Sequence, residues 1–488
     1  MRYILRLFPE ISIKSKPVRN RLIKMVRQNV LNVLQRKGFA LTAEALWDKI
    51  LLNLEGDGPE VKEAVERELC RIPGIHSFVD MVCYGFTGLD DLFLQIKEQC
   101  GAMMSNHSFA VRVKRIGVHS FNSQEAERII GGKLKAAYPN KGVDLSHPEV
   151  TVHLTIEQDK VYVTGEPTAG MGGFPVGSQG QVFSLISGGY DSAVSSYYAM
   201  RRGCRVNFLF FNMGGTAHEL GVKQESFYLW DRYASSHRVR FVTVPFEEIV
   251  GQILERVHHG VRGVVLKRMM VRCADGVLKR YHADAMVTGE SLAQVSSQTV
   301  VNLTHIDHAC ESLIIRPLVT MDKQEIIDVA RKLGTAHFAE SMPEYCGVIS
   351  DHPNVQPSRQ FVEEEEAKLD KDLVERALER LKTLDIAALP EDTGRLQSEV
   401  EVVSELGLGE VVLDVRAPDE AEAAPLMVAD HEVMALPFYK VAALFPTLEQ
   451  SRKYALYCAQ GVMSLMQARQ LKELGFHNVR VYRPQTQQ

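Results

Sequence analysis

The sequence has no CxxC pair and no Cys/His spacing typical of a zinc site. Its eight cysteines occur singly, at Cys70, Cys83, Cys100, Cys204, Cys273, Cys310, Cys346 and Cys458. No apolar run approaches the roughly 18–20 residues needed to cross a bilayer, and the apolar stretch at the N-terminus is too short for a signal peptide. These absences predict a protein of the reducing cytoplasm, without a structural metal and without membrane association.

The sequence also lacks a large excess of either charge. It has 56 Lys and Arg side chains and 61 Asp and Glu side chains, so the formal net charge is only −5. The distribution of charge is more informative than its total. Residues 1–37 carry ten basic side chains and one acid, Glu10, whereas residues 361–405 carry fourteen acids and six bases. This asymmetry predicts a basic end that meets an anionic partner.

The length of 488 residues predicts three or four domains, at roughly 100–200 residues each. In the first third, an amphipathic helix from Pro17 to about Lys37 and a second set of strands and helices from residue 62 indicate small α+β modules. Residues 165–180 are rich in Gly and Pro and are interpreted as a linker.

From Gln181 onward, continuous apolar strands alternate with helices, which predicts a parallel sheet covered on both faces. The pattern indicates a helix near 219–236, a long helix from 247 and an acidic helix at 362–384 that ends this domain. A second linker is expected at 385–405, and residues 406–488 repeat the alternation on a smaller scale.

The motif SGGYDS at Ser187–Ser192 lies between a predicted buried strand and a helix. Ser187, Gly188 and Gly189 allow a tight turn whose N–H groups point inward, and the helix N-terminus adds a positive end, so the turn forms an anion site. The hydroxyls of Ser187 and Ser192 can donate to phosphate oxygens. No Walker lysine is present, which argues against kinase-like γ-phosphate transfer. The motif resembles the pyrophosphate loop of ATP pyrophosphatases.

A second motif, CAQGVMS, starts at Cys458 and follows an apolar strand. Backbone N–H groups ahead of the next helix would surround the sulfur and favour a thiolate or persulfide. The loop resembles that of rhodanese domains, as does the upstream DVRAPDE at 414–420. Ala459 stands where rhodaneses often have Arg, which makes thiosulfate a less suitable donor.

Together with PEYCGV, which contains Cys346, these motifs resemble one family, the tRNA 4-thiouridine synthetases (tRNA uracil 4-sulfurtransferases) with a C-terminal rhodanese domain. The resemblance extends over KSKPVRNRL, GVVLKRMM, TGESLAQVSSQT and RPLVTMDKQEI. It implies an α/β and α+β multidomain fold with four domains. These are an N-terminal ferredoxin-like domain (1–61), a THUMP RNA-binding domain (62–167), an ATP-pyrophosphatase parallel-sheet domain of the adenine nucleotide alpha-hydrolase type (178–390) and a rhodanese domain (404–488).

The resemblance also implies the site residues. The positions matching ATP contacts are Leu185, Ile186, Ser187, Gly188, Gly189, Ser192, Lys267, Gly289 and Gln298. Cys346 and Cys458 match the family's cysteine pair, and Asp191 is a candidate Mg²⁺ ligand or orienting group.

The implied reaction adenylates a uracil oxygen of tRNA at position eight with ATP and Mg²⁺, and replaces it with sulfur carried as a persulfide on Cys458. A cysteine desulfurase is the expected persulfide donor. Cys346 would resolve the persulfide and leave a Cys346–Cys458 disulfide, which a reductant reopens. Some family members supply sulfur for the thiamine thiazole, which would add a sulfur-carrier protein as partner.

Two other classes remain open at this point. A ligase acting on a small molecule would share the loop, but the basic N-terminal modules and the rhodanese-like tail argue against it. A non-catalytic RNA-binding sulfur carrier would not need the intact SGGYDS. Thiolation through an iron–sulfur cluster is disfavoured because no CxxC exists.

Overall fold

The computed structural model describes residues 1–56, 58–213, 216–341, 352–389, 400–416, 421–422, 424–458 and 462–484. The chain divides into two compact units. The first comprises residues 1–178 with the short segments 201–203 and 235–237, and the second comprises the remainder. No described helix has the length and apolar character required to cross a membrane.

The first unit combines a large mixed sheet with helices. Its elements are β1 (Arg2–Leu7), α1 (Pro9–Ser12), α2 (Lys16–Arg36), β2 (Leu41–Ala45), β3 (Lys49–Leu54), α3 (Pro59–Leu69), β4 (Ile75–Gly85), α4 (Leu89–Met104), β5 (Ser108–Ile116), α5 (Ser123–Ala137), β6 (Gly142–Val143), β7 (Val150–Glu157), β8 (Lys160–Thr164) and β9 (Thr168–Ala169). The strand order is β2-β3-β1-β4-β8-β7-β5-β6, and β9 pairs with β4.

Strand β4 joins two hydrophobic cores in this sheet. Its first half pairs with β1 and its second half pairs with β8, in both cases antiparallel. The core around α2 includes Val65 and Phe78, and a second core lies under α4 and α5. The predicted domain boundary at residue 61 therefore falls inside the first core.

The basic helix α2 forms as its sequence predicts. A proline stands in its first turn, and Ile23, Val26 and Val30 are buried, because these positions recur on one helical face. Arg21 and Lys24 are exposed on the opposite side. The helix thus presents a cationic surface while its apolar face packs on the sheet.

The segment 165–180, interpreted as a linker, contains the boundary between the two units, which falls after Ser178, and it is packed within the first unit up to that point. Met171, Phe174 and Val176 are buried, and the N–H groups of Gly170 and Gly172 donate to the carbonyls of His76 and Ile75. Glycine permits this close packing, since a Cβ on Gly170 would meet the backbone oxygen of Ile75 at 2.5 Å.

The second unit contains a six-stranded sheet followed by a smaller one. The elements around the larger sheet are β10 (Gln181–Leu185), α6 (Tyr190–Arg201), β11 (Arg205–Asn212), α7 (Thr216–Tyr233), β12 (Arg240–Pro245), α8 (Glu247–Arg256), α9 (Arg262–Tyr281), β13 (Ala285–Val287), α10 (Val300–Asp307), β14 (Leu313–Ile315), α11 (Lys323–Leu333), α12 (Ala336–Ser341), α13 (Arg359–Glu366), α14 (Leu373–Glu379) and β15 (Lys382–Asp385). The strand order is β14-β13-β10-β11-β12-β15.

Five of these six strands are parallel, and β15 pairs antiparallel with β12. Two separate cores pack against the sheet, and β10 contributes Phe183 to one and Val182 to the other. This confirms the predicted parallel sheet covered on both faces. Strand β10 lies inside the sheet, between β13 and β11, so its carboxyl end opens between neighbouring strands.

The predicted helices after residue 247 are shorter than expected. The long helix is divided into α8 and α9, because Val257 is extended and a 3-10 turn follows it. The predicted acidic helix at 362–384 is divided into α13 and α14, and its last residues form β15, which covers the edge of β12. Within the predicted linker at 385–405, Asp385 belongs to β15 and Val402–Val403 form strand β16, and residues 390–399 lie outside the described residues.

The last part of the chain, residues 400–484, is named the C-terminal segment. After β16, it forms β17 (Val411–Asp414), β18 (Glu432–Ala435), α15 (Phe438–Leu444), β19 (Tyr454–Tyr457), α16 (Val462–Glu473) and β20 (Val479–Tyr482). The strands form a parallel sheet in the order β16-β20-β19-β17-β18. The alternation predicted for 406–488 is therefore present, while its classification as a rhodanese domain stays a prediction.

Candidate functional site

The loop after β10 has the form expected of an anion-binding turn. Gly188 takes a φ of +86°, a conformation that favours glycine, and α6 begins two residues later at Tyr190. The Oγ of Ser192 accepts from the N–H of Ser187 at 3.3 Å and donates to the carbonyl of Gly189 at 3.0 Å. These contacts hold the loop closed on the first turn of α6, with the N-terminal N–H groups of the helix beside it.

A neighbouring helix supports this loop from the side. His218, in the first turn of α7, makes a 2.9 Å hydrogen bond through Nε2 to the carbonyl oxygen of Ser187. Burial lowers the pKa of His218, although this bond opposes the shift. A neutral imidazole that donates from Nε2 fits the contact.

Gly289 brings the end of β13 against the same loop. A Cβ at this position would lie 2.6 Å from the carbonyl carbon of Asp191 and 2.9 Å from the amide nitrogen of Ser192. Only glycine permits this approach without displacing backbone. Gly289 therefore lies at the predicted nucleotide loop, as the sequence resemblance implies.

Asp191 carries a negative charge beside the loop and is paired. Its carboxylate accepts from Lys323 Nζ at 3.0 and 3.2 Å and from Gln294 Nε2 at 2.7 Å. Lys323 opens α11, where Asp322 forms a capping box with Glu325. Lys323 and Gln294 were not among the predicted site residues, although both lie within the two segments RPLVTMDKQEI and TGESLAQVSSQT that carry the resemblance.

Lys267 is linked to the loop through a buried acid. Its Nζ lies 3.2 Å from Oε1 of Glu290, whose Oε2 accepts from Arg316 Nε at 2.8 Å and from Thr288 Oγ1 at 3.0 Å. Burial raises the pKa of Glu290, but Lys267 and Arg316 outweigh it and hold that pKa below its ordinary value. Glu290 is thus a charged anchor next to Gly289, and it fixes the position of the Lys267 ammonium.

The remaining predicted nucleotide contacts lie at the same edge of the sheet. Leu185 ends β10, and the N–H of Ile186 donates to the carbonyl of Leu209. Gln298 is buried, and its Oε1 accepts from the N–H of Ser291 at 3.4 Å. Gln298 therefore braces the loop that follows Gly289, and none of these three side chains requires a ligand to explain its position.

Cys458 directly follows β19, as predicted. Its thiol donates to Ser464 Oγ at 3.3 Å, and its sulfur accepts from the backbone N–H of Ser464 at 3.3 Å. Ser464 belongs to the first turn of α16, so the sulfur faces the positive end of that helix. A thiolate or persulfide anion would be stabilised there. Residues 459–461, which include Ala459, lie outside the described residues.

The other rhodanese-like element, DVRAPDE at 414–420, contacts the end of strand β19 through Arg416. Arg416 and Asp414 form a buried bidentate pair, with Nε–Oδ1 2.8 Å and Nη2–Oδ2 2.6 Å. The guanidinium also lies 5.3 Å from the ring centroid of Tyr457, the residue before Cys458. Residues 417–420 of this element, and Cys346 with the rest of PEYCGV, lie outside the described residues.

Family models match the chain in two places. Residues 86–166 match the THUMP domain, and residues 177–371 match the thiamine biosynthesis protein (ThiI). Both matches fall where the sequence predicted an RNA-binding module and an ATP-pyrophosphatase module.

Full-length relatives are similar over the whole chain. The tRNA sulfurtransferase of Tolumonas auensis is 48% identical over 483 residues, which cover 99% of this chain and 100% of that protein. The tRNA sulfurtransferase of Yersinia enterocolitica is 49% identical over 487 residues, with the same coverage of 99% and 100%. A solved 4-thiouridine synthetase, in an RNA complex with bound ATP, shares the fold with a TM-score of 0.70 at 23% identity, over 79% of this chain and 99% of that chain.

The parallel sheet with its glycine loop defines an α/β unit of the ATP-pyrophosphatase type. The identity to full-length relatives shows that the chain belongs to the tRNA sulfurtransferase family, a family of transferases. The family resemblance inferred from the motifs is thereby confirmed, while the C-terminal rhodanese domain stays a prediction.

Proposed function

We propose that this chain transfers sulfur from a protein persulfide to the uridine at position eight of tRNA, in an ATP-dependent reaction that forms 4-thiouridine. The observation that carries the proposal is the pairing of two sites in one chain. One is the Ser187–Gly189 loop with charged residues converging on it, and the other is Cys458 at a helix N-terminus. The names of the relatives, and the RNA and ATP bound to the structural neighbour, support the choice of substrates.

The first step activates the base. The C4 oxygen of uridine attacks the α-phosphate of ATP, and the bond between the α- and β-phosphates breaks. The products are pyrophosphate and a base that carries AMP on its C4 oxygen. The loop N–H groups and the start of α6 would hold the phosphates. Lys267 and Lys323 would stabilise the negative charge that develops in the transition state.

Mg²⁺ is expected to accompany the nucleotide. The described residues contain no group of three or more His, Cys, Asp or Glu side chains that could hold a metal ion. Mg²⁺ commonly takes one or two carboxylates together with substrate phosphates, and Asp191 at the loop fits that requirement. When bound, the ion would offset phosphate charge, and Asp191 would hold it in addition to orienting Lys323.

The second step replaces the oxygen. The terminal sulfur of the Cys458 persulfide attacks C4, the C4–O bond breaks, and AMP leaves. The Cys346 thiolate then attacks the inner sulfur, the S–S bond to the outer sulfur breaks, and 4-thiouridine is released as its anion. The product on the protein is a Cys346–Cys458 disulfide, which needs two electrons from a dithiol reductant, as a reducing cytoplasm supplies.

Two protein partners follow from this chemistry. A cysteine desulfurase would supply the outer sulfur to Cys458, and transfer of that sulfur to a carrier protein would serve thiamine thiazole synthesis. The match of residues 177–371 to the thiamine biosynthesis protein supports the second role.

The decisive experiment is thiolation in vitro. The purified chain, tRNA, Mg-ATP and a persulfide donor are combined, and 4-thiouridine is read from its near-ultraviolet absorbance and by nucleoside mass spectrometry. Formation of 4-thiouridine at position eight, dependent on ATP, is the expected result. ATP/pyrophosphate exchange that proceeds equally well without tRNA, with no thiolated product, would instead indicate a small-molecule ligase.

A further inference from the structure

An aromatic cluster connects the C-terminal segment to the helices of the larger sheet. Phe338 of α12 lies 5.4 Å from Tyr228 of α7 and 4.8 Å from Phe438 of α15, measured between ring centroids. All three are buried, and Phe338 is 1% exposed. Tyr228 and Phe338 thus belong to the same hydrophobic core as the C-terminal sheet.

A polar contact lies across the same interface. Gln467 of α16 donates through Nε2 to Oε1 of Gln224 on α7, at 3.3 Å, and both side chains are buried. Gln467 follows Ser464, the residue that binds the Cys458 sulfur, by one helical turn. The contact therefore sets the position of the helix that supports the reactive cysteine.

The two helices that contact the C-terminal segment, α7 and α12, are each connected to a residue of the proposed reaction. Helix α7 carries His218 in its first turn, and His218 contacts the Ser187 loop. Helix α12 ends at Ser341, five residues before Cys346, and five residues reach at most about 18 Å. The C-terminal segment is consequently held by the helix that precedes the cysteine expected to resolve its persulfide.

We propose, on the basis of the function proposed above, that the face formed by α7 and α12 is the docking surface from which the C-terminal segment delivers sulfur. Phe338, Gln224 and Gln467 act as positioning residues in this step. Docking raises the effective concentration of the Cys458 persulfide at the adenylated base and at Cys346.

The same contacts make the docking reversible. Nε2 of Gln224 and Oε1 of Gln467 are buried and have no hydrogen-bond partner within the described structure, and such atoms weaken an interface. We expect release to assist reloading, because Cys458 is buried and must be reached by another protein. A fully apolar interface would hold the segment more tightly and slow that exchange.

The test separates docking from chemistry in the full-length protein. Gln224→Lys places an unpaired charge in the interface, and Gln360→Lys, at an exposed glutamine of α13, is the matched control. Hydrogen exchange of peptides from α12 and α16 reports docking. Single-turnover transfer from a preloaded persulfide reports delivery, and formation of adenylated tRNA reports the first step.

We expect Gln224→Lys to increase exchange in α12 and α16 and to slow transfer by at least about tenfold, with adenylation as in wild type and persulfide loading at least as fast as in wild type. The double change Gln224→Leu with Gln467→Leu should instead decrease exchange and slow reloading of Cys458. Wild-type transfer in a Gln224→Lys protein whose exchange shows undocking would overturn the docking inference. Failure of wild-type protein to thiolate tRNA at all would overturn the proposed function instead.

Discussion

The Nζ atom of Lys323 lies 3.0 and 3.2 Å from the two carboxylate oxygens of Asp191, although 132 residues separate them in the chain. The pair joins the first turn of α6 to the first turn of α11, beside the Ser187–Gly189 loop. The Asp191 side chain is 24% exposed and that of Lys323 is 42% exposed, so both remain accessible to a ligand. A lysine held in this way is poised to exchange a carboxylate for a phosphate oxygen.

Lys323→Ala should slow adenylation by about 10²–10³-fold, the usual cost of removing one donor directed at a charge that develops in the transition state. Lys323→Arg should recover only part of the rate because the geometry of its guanidinium differs. Lys332→Ala, at an exposed lysine of the same helix, is the control. The rate of adenylated tRNA formation is the measurement, and a wild-type rate in Lys323→Ala would restrict the Asp191–Lys323 pair to a structural role.

Cys458→Ser should abolish sulfur transfer and leave adenylation intact, since a hydroxyl cannot carry a persulfide. Cys310→Ser serves as control. Cys310 is half-buried, its thiol donates to the backbone carbonyls of Asp307 and Ser312, and it lies in neither the Ser187–Gly189 loop nor the C-terminal segment. Thiolated tRNA and AMP are measured in the same reaction. Full thiolation by Cys458→Ser with a persulfide donor would refute the assignment.

Cys346→Ala should permit one round of chemistry at most and prevent turnover. Wild-type protein stopped after one turnover without reductant should contain a Cys346–Cys458 disulfide, whose formation requires the two Cα atoms to approach within about 7 Å. Peptide mapping under non-reducing conditions detects the linked pair, which should be missing when ATP or tRNA is omitted. Two free thiols after a confirmed turnover would rule out the disulfide step.

Trp47→Ala should weaken tRNA binding. Trp47 is 66% exposed between β2 and β3, and the Arg19 guanidinium lies 4.9 Å from its ring centroid. Stacking of an unpaired base on such a ring contributes about 1–3 kcal/mol. Trp47→Phe should retain most of the affinity, and Leu94→Ala, at another exposed apolar residue of the first unit, should retain all of it. Titrations at one fixed salt concentration make the comparison valid, and equal affinities for Trp47→Ala and wild type would contradict the prediction.

Glu225→Gln should stabilise the protein increasingly as pH rises. Glu225 is fully buried, neither carboxylate oxygen has a hydrogen-bond partner among the described residues, and burial raises its pKa well above the ordinary value of 4.5. Below pH 4.5 the folded and unfolded states both bind the proton. Above it the unfolded state loses the proton first, so the free energy of unfolding of the wild type falls, by up to about 1.4 kcal/mol per pH unit.

Thermal unfolding of wild type, Glu225→Gln and the exposed control Glu364→Gln between pH 5 and 8 tests this. The gap in Tm between Glu225→Gln and wild type should widen with pH, while Glu364→Gln should follow wild type. A gap that is constant across this range would show that Glu225 does not remain protonated in the folded state.

Local patterns were sufficient to predict several features. The spacing of Ile23, Val26 and Val30 predicted the buried face of α2, and the continuous apolar strands predicted the covered parallel sheet. The glycines of SGGYDS predicted the turn, because a φ of +86° at Gly188 needs a residue without Cβ. The sequence also predicted correctly that Cys458 lies at the end of a strand and before a helix. The spacing of apolar residues changes there from the strand period to the helix period, and that change is visible within a few residues.

The sequence by itself determined the family, the glycine turn at Ser187–Gly189 and the position of Cys458 between a strand and a helix, because each depends on residues close together in the chain. Tertiary structure alone decided that Asp191 pairs with Lys323, that Glu290 anchors Lys267, and that the segment 165–180 is packed. It also decided that β15 covers the edge of β12 where a helix was predicted. Such contacts join residues far apart in sequence, and they are selected by burial, charge and edge pairing that no local pattern encodes.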